Sequence, residues 1–181
     1  QHNADCVVII DEAYVDFGAE SAISLIEKYE NLLVVQTSSK SRSLAGMRIG
    51  YAFGSETLIS TLEAVKNSYN SYTMDSLALA VGEASIRDEV YFRETCRKVA
   101  ATRDRAADEL RALGFEVTPS LTNFLFATHP KKAAPEIFSA LREKGIFIRY
   151  FKLPRIDNHL RITVGTDEQM DALIAALKQI L

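Results

Sequence analysis

The first part of the chain alternates between short apolar runs and polar segments. Two runs, residues 6–10 and 31–37, are rich in branched side chains and flanked by polar ones, which is typical of strands buried on both faces of a sheet. The segment between them, residues 20–30, has loosely helical apolar spacing. A strand, a helical crossover and a second strand predict a βαβ unit whose parallel strands end at the same edge of the sheet.

Helical spacing dominates the chain after residue 55. Three successive helices are predicted, at residues 56–68, 73–86 and 88–113, and Gly114 is placed to end the third. The remaining residues predict a small antiparallel sheet covered on one face by helices. Its predicted strands are residues 115–120, 122–129, 146–151 and 159–165. The two accompanying helices are predicted at residues 134–145 and from the N-cap Thr166 to the end.

Charged residues follow both apolar runs. Asp11 comes directly after the first, and Lys40 lies just beyond the second, in the segment TSSKSRSLAGMRIGY. Ligands of parallel sheets bind at the carboxyl ends of strands, so Asp11 and Lys40 are expected to be neighbours although 29 positions separate them. A buried carboxylate at Asp11 would need a cationic partner.

Lys40 is predicted to act as a nucleophile toward an aldehyde. That chemistry needs a neutral amine, which a partly desolvated setting near Arg48 would favour. Arg48 and the hydroxyls around Lys40 supply donors for an anion. A cofactor with an aldehyde, a phosphate and a basic ring nitrogen would satisfy all of these groups, and pyridoxal 5'-phosphate is such a cofactor. A solvated loop lysine is the plain alternative.

Three segments carry a family resemblance. DEAYVDF (11–17), SSKSRSLAGMRIGY (38–51) and NHLRITVGT (158–166) closely resemble the histidinol-phosphate aminotransferase group of fold-type-I pyridoxal-phosphate enzymes. The resemblance runs along essentially the whole chain. It implies an α/β fold, in which residues 1–84 form the C-terminal part of the large cofactor-binding domain, with parallel-type strands and helices. Residues 85–181 would then form a long helix and a small α+β C-terminal domain.

The resemblance also implies roles for individual residues. Lys40 matches the lysine that binds the cofactor covalently and then moves the proton between substrate and cofactor. Asp11 matches the carboxylate that keeps the pyridine nitrogen protonated, and Tyr14 matches the phenol that hydrogen-bonds the ring oxygen. The positions that hold the cofactor phosphate match Thr37, Ser39 and Arg48.

Three residues in the second half match substrate-binding positions. Arg161 matches the arginine that binds the acid group of substrates, and Arg149, twelve residues earlier, matches a second arginine that helps to hold the substrate phosphate. Asn123 matches a position that faces the substrate. Structural roles are the alternatives, because Asn123 could equally cap its strand and Arg149 could belong to a merely basic loop.

The activity implied by the resemblance is pyridoxal-phosphate-dependent transamination. The most specific form converts histidinol phosphate and 2-oxoglutarate to imidazole acetol phosphate and glutamate, in histidine biosynthesis. Threonine-phosphate decarboxylases and aromatic or general amino-acid aminotransferases share most of these residues and are kept as alternatives. The implied partners are small-molecule amino donors, 2-oxo acids and a second copy of the chain in a homodimer.

Relatives carry further cofactor-binding elements ahead of the segment that matches residues 1–10. They are a glycine-rich phosphate loop, an aromatic ring that stacks on the pyridine and an asparagine that touches the ring oxygen, and this chain has no candidate for any of them. We therefore expect a fragment of a larger enzyme. A catalytically silent module that acts in assembly is the alternative from a different class.

Composition narrows the class further. The 181 residues carry a formal net charge of −3, which argues against a nucleic-acid-binding surface. No apolar stretch reaches the roughly 20 residues that span a membrane. The two isolated cysteines predict no disulfide framework, and the three scattered histidines lack metal-ligand spacing. These features predict a cytoplasmic enzyme without nucleic-acid, membrane or metal partners.

Overall fold

The computed structural model describes residue 3 and residues 5–181. The chain forms two compact units, one ending at Glu94 and the other beginning at Thr95. The domain division predicted between residues 84 and 85 stays a prediction. None of the helices in the described part of the chain is long and apolar enough to cross a membrane.

The first unit contains a three-stranded sheet in the order β1–β2–β3. Strands β1 (Val8–Asp11) and β2 (Leu32–Thr37) are parallel, as predicted, and Asp11 lies opposite Val35. Strand β3 (Gly50–Gly54) runs antiparallel to β2 and places Gly50 opposite Thr37. The sheet is therefore mixed, and its parallel pair ends where the candidate chemistry begins.

The connection from β1 to β2 differs from the helix predicted there. It contains two 3-10 helices, Val15–Phe17 and Ala22–Leu25, and turns in place of an α-helix. The Ser21 hydroxyl accepts a hydrogen bond from the N–H of Ile23 and caps the second 3-10 helix, and the carboxylate of Glu12 accepts from the Ser21 hydroxyl and from the N–H of Ala22, which fixes the start of this short helix near the end of β1.

The burial predicted for β1 is wrong. Ile9 is 60% exposed and Ile10 is 37% exposed, whereas Leu32, Leu33 and Val34 of β2 are buried. Successive side chains of a strand project to opposite faces of the sheet, so the exposure of both Ile9 and Ile10 means that neither face of this edge strand is fully covered by the described residues. An apolar run predicts a strand but does not say how many neighbours cover it.

Three helices follow the first sheet, as predicted. They are α1 (Glu56–Tyr69), α2 (Ser76–Arg87) and α3 (Glu89–Ala112). Polar side chains begin α1 and α2: Ser55 accepts from the N–H of Leu58, and Asp75 accepts from the N–H of Ala78. The predicted stop after α3 is confirmed, since Gly114 has a φ of +90°, where glycine is favoured.

The second unit contains a four-stranded antiparallel sheet in the order β4–β5–β7–β6. Its elements are β4 (Glu116–Val117), β5 (Phe124–Thr128), α4 (Ala134–Glu143), β6 (Arg149–Tyr150), β7 (Leu160–Thr163) and α5 (Asp167–Ile180). Alternate strand residues such as Leu125 and Ile162 join the helices in one buried core. The other face of the sheet carries Phe124, Phe126 and Arg161, which are only partly buried.

The last helix begins as predicted. The hydroxyl of Thr166 accepts a hydrogen bond from the N–H of Gln169, and the side chain of Gln169 accepts one from the N–H of Thr166. This capping box satisfies two backbone donors at the start of α5.

Candidate active site

Lys40 lies in a turn immediately after β2. The N–H of Ser43 donates to the carbonyl of Lys40 at 3.1 Å, and the N–H of Leu44 donates to the carbonyl of Ser38 at 3.0 Å. The Nζ atom of Lys40 lies 5.7 Å from the centroid of the Tyr14 ring. The segments that follow β1 and β2 therefore meet at the carboxyl edge of the sheet, as the parallel arrangement requires.

Lys40 and Asp11 are both exposed, in contrast to the partly desolvated amine and buried carboxylate expected from the sequence. The carboxylate of Asp11 accepts a hydrogen bond from the N–H of Ala13 at 3.0 Å. Its strand is the exposed edge strand β1, so no described element covers it. An exposed Asp11 carboxylate is accessible to a ligand at this edge.

The buried carboxylate of this edge belongs to Glu12, which is only 8% exposed. It accepts hydrogen bonds from the Ser21 hydroxyl (2.7 Å), the N–H of Ala22 (2.6 Å) and the Gln36 amide (2.9 Å). Burial alone would raise the pKa of Glu12, but these three hydrogen bonds outweigh it and hold the pKa below its ordinary value. Glu12 thus ties the end of β1 to β2 and to the connection between them.

Glu12 is absent from the residues predicted from the sequence. One signal was available, because two consecutive carboxylates at the end of a strand point to opposite faces of the sheet. Asp11 and Glu12 divide in this way: one is exposed, and the other is buried and fully hydrogen-bonded.

Thr37 and Ser39 form a hydroxyl pair after β2. Thr37 Oγ1 lies 2.9 Å from Ser39 Oγ and 3.1 Å from the carbonyl oxygen of Ile49, and the N–H of Ser39 donates to Thr37 Oγ1. The same Ile49 carbonyl accepts from the N–H of Ser38. These contacts hold the segment that contains Arg48 beside the end of β2.

Arg48 has a left-handed backbone, with φ +57° and ψ +38°. A residue other than glycine in this φ/ψ region destabilises the folded state by on the order of 1 kcal/mol. Such residues cluster at functional sites. The side chain is exposed, and its Nη1 donates to the carbonyl of Ala45 at 3.2 Å. The remaining guanidinium donors can therefore serve an anion.

Two buried serines fix the turn that carries Lys40. Ser38 is 1% exposed, and its hydroxyl shares a hydrogen bond with the Tyr51 hydroxyl at 2.9 Å. The hydroxyl of Ser41 donates to the carboxylate of Asp16. The turn is thus attached to β3 on one side and to the segment after β1 on the other.

Arg149 and Arg161 of the second unit lie directly opposite each other on β6 and β7. The guanidinium carbon of Arg161 is 4.3 Å from the centroid of the Phe124 ring, and that of Arg149 is 5.2 Å from the centroid of Phe151. The Nε atom of Arg161 is buried and has no hydrogen-bond partner among the residues that the structure describes. Like charges opposite each other destabilise a sheet, and an anion between them would remove that cost.

Asn123 immediately precedes β5. Its backbone carbonyl accepts a hydrogen bond from the N–H of Val164 at 2.9 Å, which extends the pairing of β5 with β7. The predicted contact of its side chain with substrate stays a prediction. Within the described residues, no group of three or more His, Cys, Asp or Glu side chains is arranged to hold a metal ion.

The candidate residues fall into two sets. The first unit carries the amine, carboxylate, phenol and anion-binding groups, at Asp11, Tyr14, Thr37, Ser39, Lys40 and Arg48. The second unit carries the paired arginines and Asn123. The first set supplies the amine, carboxylate, phenol and anion donors that an aldehyde cofactor with a phosphate and a ring nitrogen would need, but Lys40 is exposed in the described residues rather than partly desolvated.

The comparison with protein families agrees with this kind of site. The family model for aminotransferase class I and II matches residues 1–177, and the chain belongs to this family. The resemblance noted in the sequence is thereby confirmed.

Individual relatives in this comparison are histidinol-phosphate aminotransferases. The chain is 58% identical over 178 residues to the histidinol-phosphate aminotransferase of Marinomonas sp. (strain MWYL1), a match that covers 97% of this chain and 50% of the relative. It is also 58% identical over 178 residues to histidinol-phosphate aminotransferase 2 of Dechloromonas aromatica (strain RCB), covering 98% and 50%. The chain thus spans about half the length of the curated relatives it matches.

Solved structures confirm the α/β fold. A crystal structure of histidinol-phosphate aminotransferase from Sinorhizobium meliloti in complex with pyridoxal-5'-phosphate matches with a TM-score of 0.83 and 30% identity. The match covers 96% of this chain and 48% of that one.

Proposed function

We propose that the protein is a pyridoxal-phosphate-dependent aminotransferase whose amino donor is histidinol phosphate and whose acceptor is 2-oxoglutarate. The observation that carries the proposal is the position of Lys40 Nζ, 5.7 Å from the Tyr14 ring centroid at the carboxyl edge of β1 and β2. The 58% identity to histidinol-phosphate aminotransferases supports the choice of substrate.

The residues of the first unit fit the proposed cofactor. Lys40 supplies an amine for the aldehyde, Asp11 an exposed carboxylate for the ring nitrogen, and Tyr14 a phenol for the ring oxygen. The phosphate would be held by the hydroxyls of Thr37 and Ser39 and by the guanidinium of Arg48. When bound, pyridoxal phosphate supplies an electron sink for a carbanion at the substrate Cα. Lys40 then holds and moves the proton at that carbon, a task that contributes roughly 10²–10⁴-fold to rate.

The arginine pair of the second unit fits the proposed substrates. Histidinol phosphate offers a phosphate, whereas glutamate and 2-oxoglutarate offer carboxylates, and a guanidinium binds either anion through paired N–H donors. The Nε of Arg161, which has no hydrogen-bond partner in the part of the chain that the structure describes, is one such donor. Arg149 and Arg161 can therefore serve both substrates of a transamination, whose two half-reactions use the same site in turn.

The complete protein, loaded with pyridoxal phosphate, tests this proposal. We expect a visible absorbance from lysine-bound cofactor that is lost in Lys40→Ala, and turnover of histidinol phosphate well above that of phenylalanine or threonine phosphate. An unchanged spectrum in Lys40→Ala would contradict the cofactor assignment. Preferred turnover of threonine phosphate or phenylalanine would favour the decarboxylase or the general aminotransferase.

A silent assembly module is a second candidate, favoured by the exposed strand β1. Titration of the 181-residue chain with pyridoxal phosphate separates the two functions. Tight binding that is lost in Lys40→Ala excludes a wholly silent module, whereas the absence of binding to this chain favours it.

We further propose that the protein acts in the cytoplasm as a homodimer. Exposed apolar side chains on α2, Leu77 and Leu79, give the first unit a surface that a partner would cover. Light scattering of the complete protein should give twice the monomer mass, and cell fractionation should recover the protein with cytoplasmic enzymes. A monomeric mass would contradict the dimer.

A further inference from the structure

Consecutive side chains of the turn formed by residues 40–43 contact the segment after β1, helix α2 and helix α3. Lys40 lies over Tyr14, Ser41 donates to Asp16, and Arg42 reaches α2 and α3. The first two contacts join the turn to the segment after β1. Arg42 instead contacts α2 and α3, and neither contact involves a residue that is proposed to hold the cofactor.

Arg42 makes two contacts that suit a guanidinium. Its central carbon lies 3.9 Å from the centroid of the Phe92 ring, and its Nη1 donates to the carbonyl oxygen of Ser85. Ser85 is in the last turn of α2, where carbonyls lack partners within the helix and the helix dipole favours a cation. Phe92 is in the first turn of α3, and a cation over an aromatic face is attracted by the ring.

The contacts of Arg42 can stabilise this turn, whose backbone has an unfavourable conformation. Ser43 has a φ of +56°, an unfavourable region for a residue with a side chain. A change in this turn would move the Cα of Lys40 and so redirect a long side chain whose Nζ must meet a fixed aldehyde. Displacements of about 1 Å can cost roughly 100-fold in reactivity.

We propose that Arg42 is a positioning residue that fixes the direction of Lys40 by tying the 40–43 turn to Ser85 and Phe92. The proposal rests on the proposed function of Lys40. It concerns the orientation of the Lys40 side chain and not the noncovalent binding of the cofactor. Arg42 should therefore matter only for ligands that react with Lys40.

Two ligands, pyridoxal phosphate and pyridoxine phosphate, distinguish an effect on the reaction with Lys40 from an effect on noncovalent binding. Pyridoxal phosphate carries an aldehyde that condenses with the Lys40 amine and releases one water, whereas pyridoxine phosphate has the same ring and phosphate but an alcohol in place of the aldehyde. Binding of each is measured on the complete protein, by absorbance for the first and by calorimetry for the second. In Arg42→Ala we expect Kd for pyridoxal phosphate to rise about 10-fold and Kd for pyridoxine phosphate to stay within about two-fold.

Conservative variants test the contact itself. Phe92→Leu removes the aromatic face and keeps an apolar side chain, so it should reproduce the selective loss, while Phe92→Tyr should retain wild-type binding. Arg87→Ala is the matched control. Arg87 lies on the same helix as Ser85, but its side chain is 78% exposed and pairs with Glu83, so binding of both ligands should be unchanged.

Each outcome bears on the proposal. A selective loss of pyridoxal phosphate binding in Arg42→Ala and Phe92→Leu supports it. Equal weakening of both ligands would overturn it in favour of a purely structural role, and unchanged binding of both would overturn it outright. If Arg42→Ala does not fold, the Phe92 pair decides. The absence of Lys40-dependent binding in the unsubstituted protein would contradict the proposed function itself.

Discussion

Arg149 and Arg161 face each other directly across the antiparallel strands β6 and β7, and the Nε atom of Arg161 is buried with no hydrogen-bond partner among the described residues. Two cations in this arrangement repel each other, so the pair is costly without a ligand. An anion bound between the two guanidinium groups would remove this repulsion, which agrees with the substrate site proposed above. It also gives predictions in which activity and stability change in opposite directions.

Substitution of Arg149 should affect phosphate-bearing substrates selectively. In Arg149→Ala we expect KM for histidinol phosphate to rise by about 10-fold or more, because a charge-assisted contact is lost, with little change in KM for phenylalanine. Steady-state kinetics on both substrates measure this. Arg142→Ala, on the exposed side of α4, is the matched control and should leave both constants unchanged. Equal changes for the two substrates would remove Arg149 from phosphate recognition.

The same substitution should not destabilise the ligand-free protein. Removing one of two opposed cations relieves repulsion, so the free energy of unfolding of Arg149→Ala should stay constant or rise by up to about 1 kcal/mol. Urea unfolding measures it, and added phosphate should stabilise the wild type more than the variant. A clear loss of stability without ligand would show that Arg149 has a structural role.

Arg48 should likewise be more important for binding than for folding. Its left-handed backbone suits glycine, so Arg48→Gly should unfold with a free energy within about 1 kcal/mol of wild type, as relief of strain offsets the added freedom of the unfolded chain. Affinity for pyridoxal phosphate should nevertheless fall at least about 10-fold, since a phosphate-binding guanidinium is lost. Retained affinity would exclude Arg48 from the phosphate site.

Ionisation of Glu12 should make the free energy of unfolding depend on pH. Its pKa in the folded protein lies below the ordinary value, so its contribution to stability is complete above that ordinary value of about 4.5 and is lost as the pH falls through the lower folded pKa. In Glu12→Gln, the stability at neutral pH should drop, and the decline between pH 5 and the acid limit should be shallower than in wild type. Urea unfolding across that range measures both. Parallel stability curves for the two proteins would contradict this account of Glu12.

Local patterns predicted much of the fold. Apolar spacing, together with caps such as Thr166, predicted the helices α1 to α5, the parallel pair β1 and β2 and the antiparallel second sheet. The β1–β2 connection did not follow, because the side chains of Glu12 and Ser21 accept hydrogen bonds from the N–H groups of Ala22 and Ile23, and the contact with Glu12 joins residues that are ten positions apart. The exposure of β1 did not follow either, since the burial of a strand depends on what packs against its two faces.

For the candidate site, too, some features could be predicted from the sequence and others could not. The segment containing Lys40 carried part of the family resemblance, which the comparisons confirm, and the parallel strands correctly predicted that the segments after β1 and β2 would meet. The opposition of Arg149 and Arg161 depends on the register of two strands, and the contact of Arg42 with Phe92 joins residues 50 positions apart. Relationships of this kind arise from packing and are not encoded in short sequence segments.

We propose that pyridoxal phosphate binds covalently to Lys40. Reduction of the cofactor-loaded complete protein with borohydride, followed by peptide mass spectrometry, identifies the modified lysine. We expect one reduced cofactor adduct per chain, on the peptide that contains Lys40, and none in Lys40→Ala. A reduced adduct on another lysine, such as Lys66, or the absence of any adduct would show that Lys40 does not bind the cofactor.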